Sequence, residues 1–509
     1  MDLSTNSEPS QEHDTPSPLP SISLTLTFFT INLLLLTWYI IIYPYFYSPL
    51  RHLPRPKNEI PLLGQFTTPY TKPLGATYLT WMTQIPNKGL ITYRSFLNQD
   101  RLLLTTPKAI AEVLVHNPYA YTKHPSERSV IRRFLGDGLT ISEGEEHRFQ
   151  RRLMSLVYTA RAVKSFYGMF WRRGVYLTDI LERRLALTRT AGGNKVCGIE
   201  EMNQWANRTT MDIIGLAALG KDFGCLDGAR NELFEAYQEI FTWAPEKDVF
   251  LALNRLLPRG LVSWLPWRVN ERIDVTSATL RGACRGLVRE KIEEFARMNG
   301  EQEDLISRTI RGGGWEAEGL VEQLPTIIAA GHETSASAFT WTLYLLAQNQ
   351  SAQERLRSEL LDAMPLLSEE PTSDSLANIL ENLPYLNTVC NETLRFIPPV
   401  PLIRRKILAG TQVLLCPYAI NHSPDLWGKA NNDCGMTSNY AYLTFSHGPR
   451  SCIGQSFARA ELRTLVAAFV VRFRFQQARP HANVVPVGIV SVRPKDGLYL
   501  EIKRVKRAE

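Results

Sequence analysis

Within FSHGPRSCIGQ, residues 445–455, a single thiol, Cys452, stands between Gly448 and Gly454 and two residues after Arg450. The residues that follow, IGQSFARAELRTLVAAFVVRF, bring Ile453, Phe457, Ala460, Leu465, Ala468 and Phe469 close to one face at helical spacing, so a helix is expected to begin just after the cysteine. A thiol there faces unpaired N–H groups and the positive end of the helix dipole, and both favour the thiolate, the form that ligates metals. Gly448, Pro449 and Gly454 suit a tight loop approaching something flat. The other reading of the lone residue is a buried cysteine acting as a small hydrophobe.

Two further stretches have chemically useful spacing. AGHETS, residues 330–335, sets the small Ala330 and Gly331 before an acid, Glu333, and an alcohol, Thr334. Glu392-Thr393-Leu394-Arg395 sets opposite charges at i, i+3. Alone, the first reads as a close helix contact and the second as a surface ion pair worth about 0.2–0.5 kcal/mol. With the cysteine loop they form a pattern. Phe445, Gly448, Arg450, Cys452 and Gly454 match the F-x-x-G-x-R-x-C-x-G haem-ligand signature, and from roughly Pro49 to Val505 the chain resembles a membrane-anchored cytochrome P-450 of the fungal microsomal kind.

That resemblance implies a mainly α fold with small β-sheets (α+β), a cytochrome P-450 fold behind an N-terminal transmembrane helix. It implies a haem-thiolate monooxygenase in which Cys452 is the axial ligand, pushing electron density onto iron and favouring O–O cleavage. Glu333 and Thr334 would be the acid–alcohol pair of oxygen activation, with Glu333 linking to solvent. Ala330 and Gly331 would let the helix pass close to the iron. Arg450, and Arg151 from the family's W-x-x-x-R element, would hold the propionates, and His147 stands at the tryptophan position. After PPVP, either Arg404 or Arg405 would be a third propionate contact. Phe445, Gly448 and Gly454 would shape the haem loop, while Glu392 and Arg395 would be structural.

Residues 121–139, the helix before Thr334, residues 400–403 and residues 487–490 would wall the substrate pocket. They are largely apolar, which implies an apolar small molecule. By resemblance it is a terpenoid or polyketide of secondary metabolism, with a fatty-acid or xenobiotic hydroxylase as the alternative. No G-x-G-x-x-G occurs, so electrons would come from a membrane-bound NADPH-dependent reductase. Arg148 and Arg152 are a candidate docking patch, or simply a solvated helix face.

Three features depart from the family pattern. Pro325 should kink the helix that carries AGHETS. The connection between RRK and ILAGTQV is too short for the strand pair usual there. The P-E-R-F or P-E-R-W element expected between DLWG (425–428) and SNYAYLTF (438–445) is absent, so Glu392 and Arg395 are expected to lack their third partner, which is costly for a buried pair. These departures keep open a catalytically impaired or truncated relative, and a membrane-tethered interaction protein without haem.

The elements that must position these residues follow from patterning. The 509-residue chain is 44% hydrophobic and 21% charged, globular in composition. Its net charge of +7 is small and scattered, suiting an anionic membrane surface better than nucleic acid. Seven cysteines without C-x-x-C spacing indicate neither a disulfide framework nor a zinc ribbon. Residues 22–42 reach the ~20 apolar positions that cross a bilayer, and the preceding residues carry acids but no Lys or Arg, against a cleaved signal peptide. Arg51, Arg55 and Lys57 then place the rest in the cytosol. The expected organisation is a luminal tail (1–21), a single-pass endoplasmic-reticulum anchor (22–42), a stiff proline-rich linker (43–74) and one catalytic domain (75–509). Within it, GLITYRSF and DRLLLTT read as paired strands, Thr106-Pro107 as a helix start, residues 142–145 as a capping box and residues 488–505 as a hairpin.

Overall fold

The computed structural model describes residues 22–68, 71, 73–192, 197–257, 261–363, 371–407, 410–428, 438–479, 484–488 and 490–505. The expected luminal tail, and residues 429–437 where the P-E-R-F element was sought, lie outside the described residues.

The helix Ala317–Gln348 runs through the middle of the main core. It packs on the helices Met202–Leu219, Arg268–Arg297 and Gln455–Arg472, and apolar or small residues cover nearly its whole circumference, as burial on all sides requires. It continues unbroken through Pro325, and the carbonyl of Pro325 accepts the Tyr237 hydroxyl at 2.9 Å. The proline therefore does not interrupt the helix as its sequence context suggests.

A second core lies under a five-stranded sheet ordered Leu90–Arg94, Asp100–Leu104, Gln412–Leu415, Ile403–Ile407 and Tyr121–Thr122. The first two strands pair antiparallel as expected, Leu90 opposite Leu104 and Arg94 opposite Asp100. Strand Ile403–Ile407 turns directly into Gln412–Leu415, which accounts for the short RRK–ILAGTQV connection.

Other local expectations are corrected. Residues 488–505 do not form a hairpin: Arg493–Pro494 pairs with Pro486–Val487, while Tyr499–Arg504 lies between Cys197–Glu201 and Phe473–Gln477. The basic helix spans Gly144–Ser155 with Glu143, not Ser142, at its N-cap and without a side-chain cap bond. Thr106 does precede a helix starting at Pro107, again without a side-chain bond.

The N-terminal apolar helix, Ile22–Thr37, continues past Ile42 as a wider coil over Trp38–Tyr47. The stretch Leu24–Tyr47 is long and apolar enough to cross a membrane. The linker after it is not a free stalk. Asn98 donates to the Ile40 carbonyl at 2.9 Å, Arg94 donates to the Pro44 carbonyl at 3.2 Å and covers the Tyr45 ring, and Ser48 donates to Asp100. Backbone bonds from Thr92 to Pro54 and from Gln65 to Arg94 carry the docking further along the linker.

Candidate functional site

The helix Gln455–Arg472 starts just beyond Cys452, and the Cys452 amide donates to the Phe445 carbonyl at 2.8 Å, closing the loop. Gly448, at φ 70°, comes so near the 114–115 backbone that a Cβ would lie 2.0 Å from the Leu114 oxygen. Cys452 is surrounded by protein and yet exposed, so its surface borders an interior space. Burial pushes its thiol pKa up, outweighing the Gly454 amide and the Arg151 charge. The helix terminus alone does not supply the expected thiolate; an added cation would.

The central helix opens in one short stripe: Ala330 is exposed and Gly331 and Thr334 are half-buried, between turns that are otherwise buried. The Thr334 hydroxyl donates to the Ala330 carbonyl at 2.7 Å. Gly331 serves packing, since a Cβ there would lie 2.5 Å from Ile214. Glu333 does not reach solvent. It is 2% exposed, and its carboxylate accepts from Arg493 through two nitrogens and from Ser491. Burial alone would push this carboxyl up, but the Arg493 charge and hydrogen bonds hold it below its usual value.

A dense cation cluster adjoins the cysteine loop. Arg450 donates one nitrogen to Glu143, while its Nε and Nη1 are buried and unpartnered. Lys123 donates its Nζ to the Ser142 carbonyl at 2.9 Å and its amide to Glu143 at 2.8 Å. Burial, then the charges of Arg405, Arg450 and Arg128 against the opposing Glu143, lower the Lys123 pKa to about 7. Arg405 is lowered to about 10 by burial and Arg450, and His147 to about 4 by burial, Lys123, Arg450 and Arg151. Arg151 donates to the Ser451 carbonyl and hydroxyl. His147 is buried with its Nδ1 3.2 Å from the Tyr119 hydroxyl, so it faces a phenol instead of standing free.

Cations thus outnumber the carboxylates that face them, Glu143 and Glu127, and two Arg450 nitrogens lack acceptors; the donor set fits a ligand edge carrying two carboxylates. The neighbours Arg404 and Arg405, between which the sequence leaves a choice, have different surroundings. Arg404 donates to Glu127 at 3.0 Å, whereas Arg405 lies with Arg450 and Glu143. Sequence reasoning missed Lys123 and Glu143. Glu143 carried a signal, its place before a basic helix, but it was read as part of a cap.

Beneath the loop, Arg395 is bidentate to Glu392, donates to the Asn421 carbonyl and lies 4.8 Å over the Trp427 ring. The pair therefore has other partners. Glu392 is also 54% exposed, so the burial cost expected for an incomplete triad does not apply.

The comparisons agree with this geometry. Residues 54–499 match the family described as Cytochrome P450. The chain is 36% identical to Cytochrome P450 monooxygenase sphH of Aspergillus fumigatus, over 96% of this chain and 94% of that protein. It is 34% identical to Cytochrome P450 monooxygenase ptmK of Penicillium ochrochloron, over 94% and 99%, and 34% identical to Cytochrome P450 monooxygenase FUM15 of Gibberella moniliformis, over 86% and 85%. A cysteine and a helix stripe bordering interior space, beside cations short of counter-charge, match what a haem-thiolate enzyme needs, and with full-length relatives of this kind the chain belongs to the cytochrome P450 family.

Proposed function

We propose that the protein is a membrane-anchored haem-thiolate monooxygenase that oxidises an apolar small molecule of secondary metabolism, of terpenoid or polyketide type. The observation that carries the chemistry is the exposed Cys452 in a protein-surrounded loop, taken with the cation-rich cluster of Arg450, Arg405 and Lys123, in which two Arg450 nitrogens lack acceptors.

Haem, when bound, supplies the activation of dioxygen, with electrons from a redox partner. In this reading Cys452 would hold the iron as a thiolate, the metal's charge favouring the deprotonated thiol that burial disfavours. Phe445, Gly448 and Gly454 hold the loop that presents it. Arg450, Arg405, Arg151 and Lys123 would offset the charge of the carboxylate edge, with His147 beside them. Ala330, small and exposed, would leave room for the bound group, and Gly331 lets the central helix pack closely on Ile214. Thr334 has a hydroxyl with one proton committed to the Ala330 carbonyl and lone pairs free, so it can accept and hold a proton-bearing ligand in the space.

The apolar helix beginning at Ile22 would anchor the protein in the endoplasmic-reticulum membrane once, its continuation near Ile40 meeting the body at the surface, with Arg51, Arg55 and Lys57 on the cytosolic side and an NADPH-dependent reductase as electron donor. Against the alternative of an impaired relative, Arg395 reaches the Asn421 carbonyl and the Trp427 ring, which supports a held segment beneath the cysteine loop. The test is the carbon-monoxide difference spectrum of the reduced chain beside Cys452→Ala. A thiolate-type red-shifted band present only in the unaltered chain supports the reading, and a chain purified without haem overturns it.

A further inference from the structure

Glu333, expected to carry protons, is instead the centre of a buried joint. Arg493 meets its carboxylate with two nitrogens and extends a third, Nη1, to Gln238 on the helix Glu232–Phe241 at 3.1 Å. Ser491 donates to the same carboxylate, and Ser337 and Trp341, lower on the central helix, both donate to the Val492 carbonyl, at 2.6 and 3.1 Å. The Val492 amide donates to the Pro399 carbonyl at 3.0 Å. The segment 491–493 is therefore pinned to three separate parts of the molecule. Its turn is also tight, since a Cβ on Gly488 would lie 1.7 Å from the Ser491 oxygen. Side chains of Glu333 and Arg493 are 2% and 8% exposed, so water cannot replace either partner cheaply.

We propose that the Glu333–Arg493 pair is a positioning tether that fixes the segment 491–493 against the central helix, and so sets the position of the pocket wall expected beside Val487 and the enzyme's selectivity. This rests on the monooxygenase reading and on the expectation, by resemblance, that the chain near Val487 and Val400–Ile403 walls the substrate pocket. Glu333 acts here as a fixed anion. It neighbours Thr334 in sequence, so the turn carrying the alcohol and the turn carrying the wall are held in one register. A substrate pressing on the wall thus presses on the turn beside Thr334 as well.

The experiment uses the full-length haem-loaded protein and the variants Glu333→Gln, Arg493→Gln and the double variant, with Arg493→Lys retained in case the glutamine variants fold poorly. Amide hydrogen exchange is followed in residues 484–499, and binding of imidazole and of the bulkier 1-phenylimidazole is titrated by the haem spectrum. The tether predicts about tenfold faster exchange in this segment for either single variant, and the double variant no faster than the worse single. It also predicts that 1-phenylimidazole affinity changes several-fold while imidazole affinity does not. Arg493→Lys should fall between. Unchanged loop exchange in Glu333→Gln, or additive effects in the double variant, would overturn the proposal. Haem content of the unaltered chain reports separately on the monooxygenase reading, because loop exchange can be measured whether or not haem is held.

Discussion

Asn421 and Arg395 exchange hydrogen bonds across two elements: the Arg395 guanidinium donates to the Asn421 carbonyl, and the Asn421 side-chain amide donates to the Arg395 carbonyl at 3.1 Å. The same amide reaches the Thr444 hydroxyl at 2.9 Å, and Asn421 Oδ1 accepts the Leu443 amide at 2.9 Å. Thr444 in turn donates to the Leu394 carbonyl at 2.8 Å. The end of the helix Pro384–Phe396 is thereby stitched to the strand of chain that leads into the cysteine loop.

Asn421→Ala should therefore be among the more damaging substitutions outside the haem cavity. It leaves the buried Leu443 amide without its acceptor and frees the loop entrance, for a loss of about 2–4 kcal/mol. Urea unfolding of the purified protein measures this, and haem content should fall in parallel. A loss below about 0.5 kcal/mol, the range of an ordinary surface change, would mean that the stitch carries little.

Arg404 and Arg405 are neighbours with different surroundings, Arg404 paired with Glu127 and Arg405 near Arg450. Arg405→Leu removes a cation from the cluster beside Arg450 and should weaken haem retention strongly, whereas Arg404→Leu removes the Glu127 pair, which is partly screened, and should change haem retention less than twofold. Transfer of haem to apomyoglobin, timed spectroscopically, ranks the two.

Lys123 makes the haem-free protein pH-sensitive. Burial and the neighbouring cations place its folded pKa at about 7, against an unfolded value near 10.5. Between these values the unfolded chain binds a proton that the folded chain does not, so stability rises with pH, by up to ~1.4 kcal/mol per unit. The cost is fully present below pH 7 and is relieved as pH rises through it. Between pH 6.5 and 8.5, haem-free protein should gain stability and Lys123→Met should not; under the proposed function, in which haem carboxylates would lie beside Lys123, haem-loaded protein should show a smaller slope. Equal slopes in Lys123→Met and the unaltered chain would remove Lys123 as the cause.

What was legible in the sequence is local. Cys452 before its helix, the stripe Ala330–Thr334 on a buried helix and the strands around residues 90–104 all depend on spacings of a few residues, and these are found as expected. The linkage of Glu333 was not legible, because Arg493 lies 160 residues away and follows what reads as a plain hairpin. Glu143 has the same problem: its partner Arg450 is 307 residues distant, so a carboxylate serving the cation cluster looks like a helix cap. Asn421 gives no sign at all. Four-way hubs built from one amide side chain and its backbone have no period and no motif.

The docked N-terminal coil makes a prediction about where the protein can be cut. Ile40 and Pro44 are buried against the body, and Arg94, itself buried, depends on the Pro44 carbonyl and the Tyr45 ring as well as on Glu59. Deleting residues 1–37 removes exposed apolar helix and leaves these contacts whole, so the body should keep its stability and need less detergent. Deleting residues 1–49 also removes the Asn98, Arg94 and Asp100 contacts and leaves a buried guanidinium short of partners, which should cost about 2–3 kcal/mol. Arg94→Ala separates this cost from a general effect of shortening the chain: it should destabilise the protein lacking residues 1–37 markedly and the protein lacking residues 1–49 much less. Thermal unfolding of the four proteins in one detergent gives the comparison, and equal losses from Arg94→Ala in both lengths would show that the coil is not what Arg94 holds.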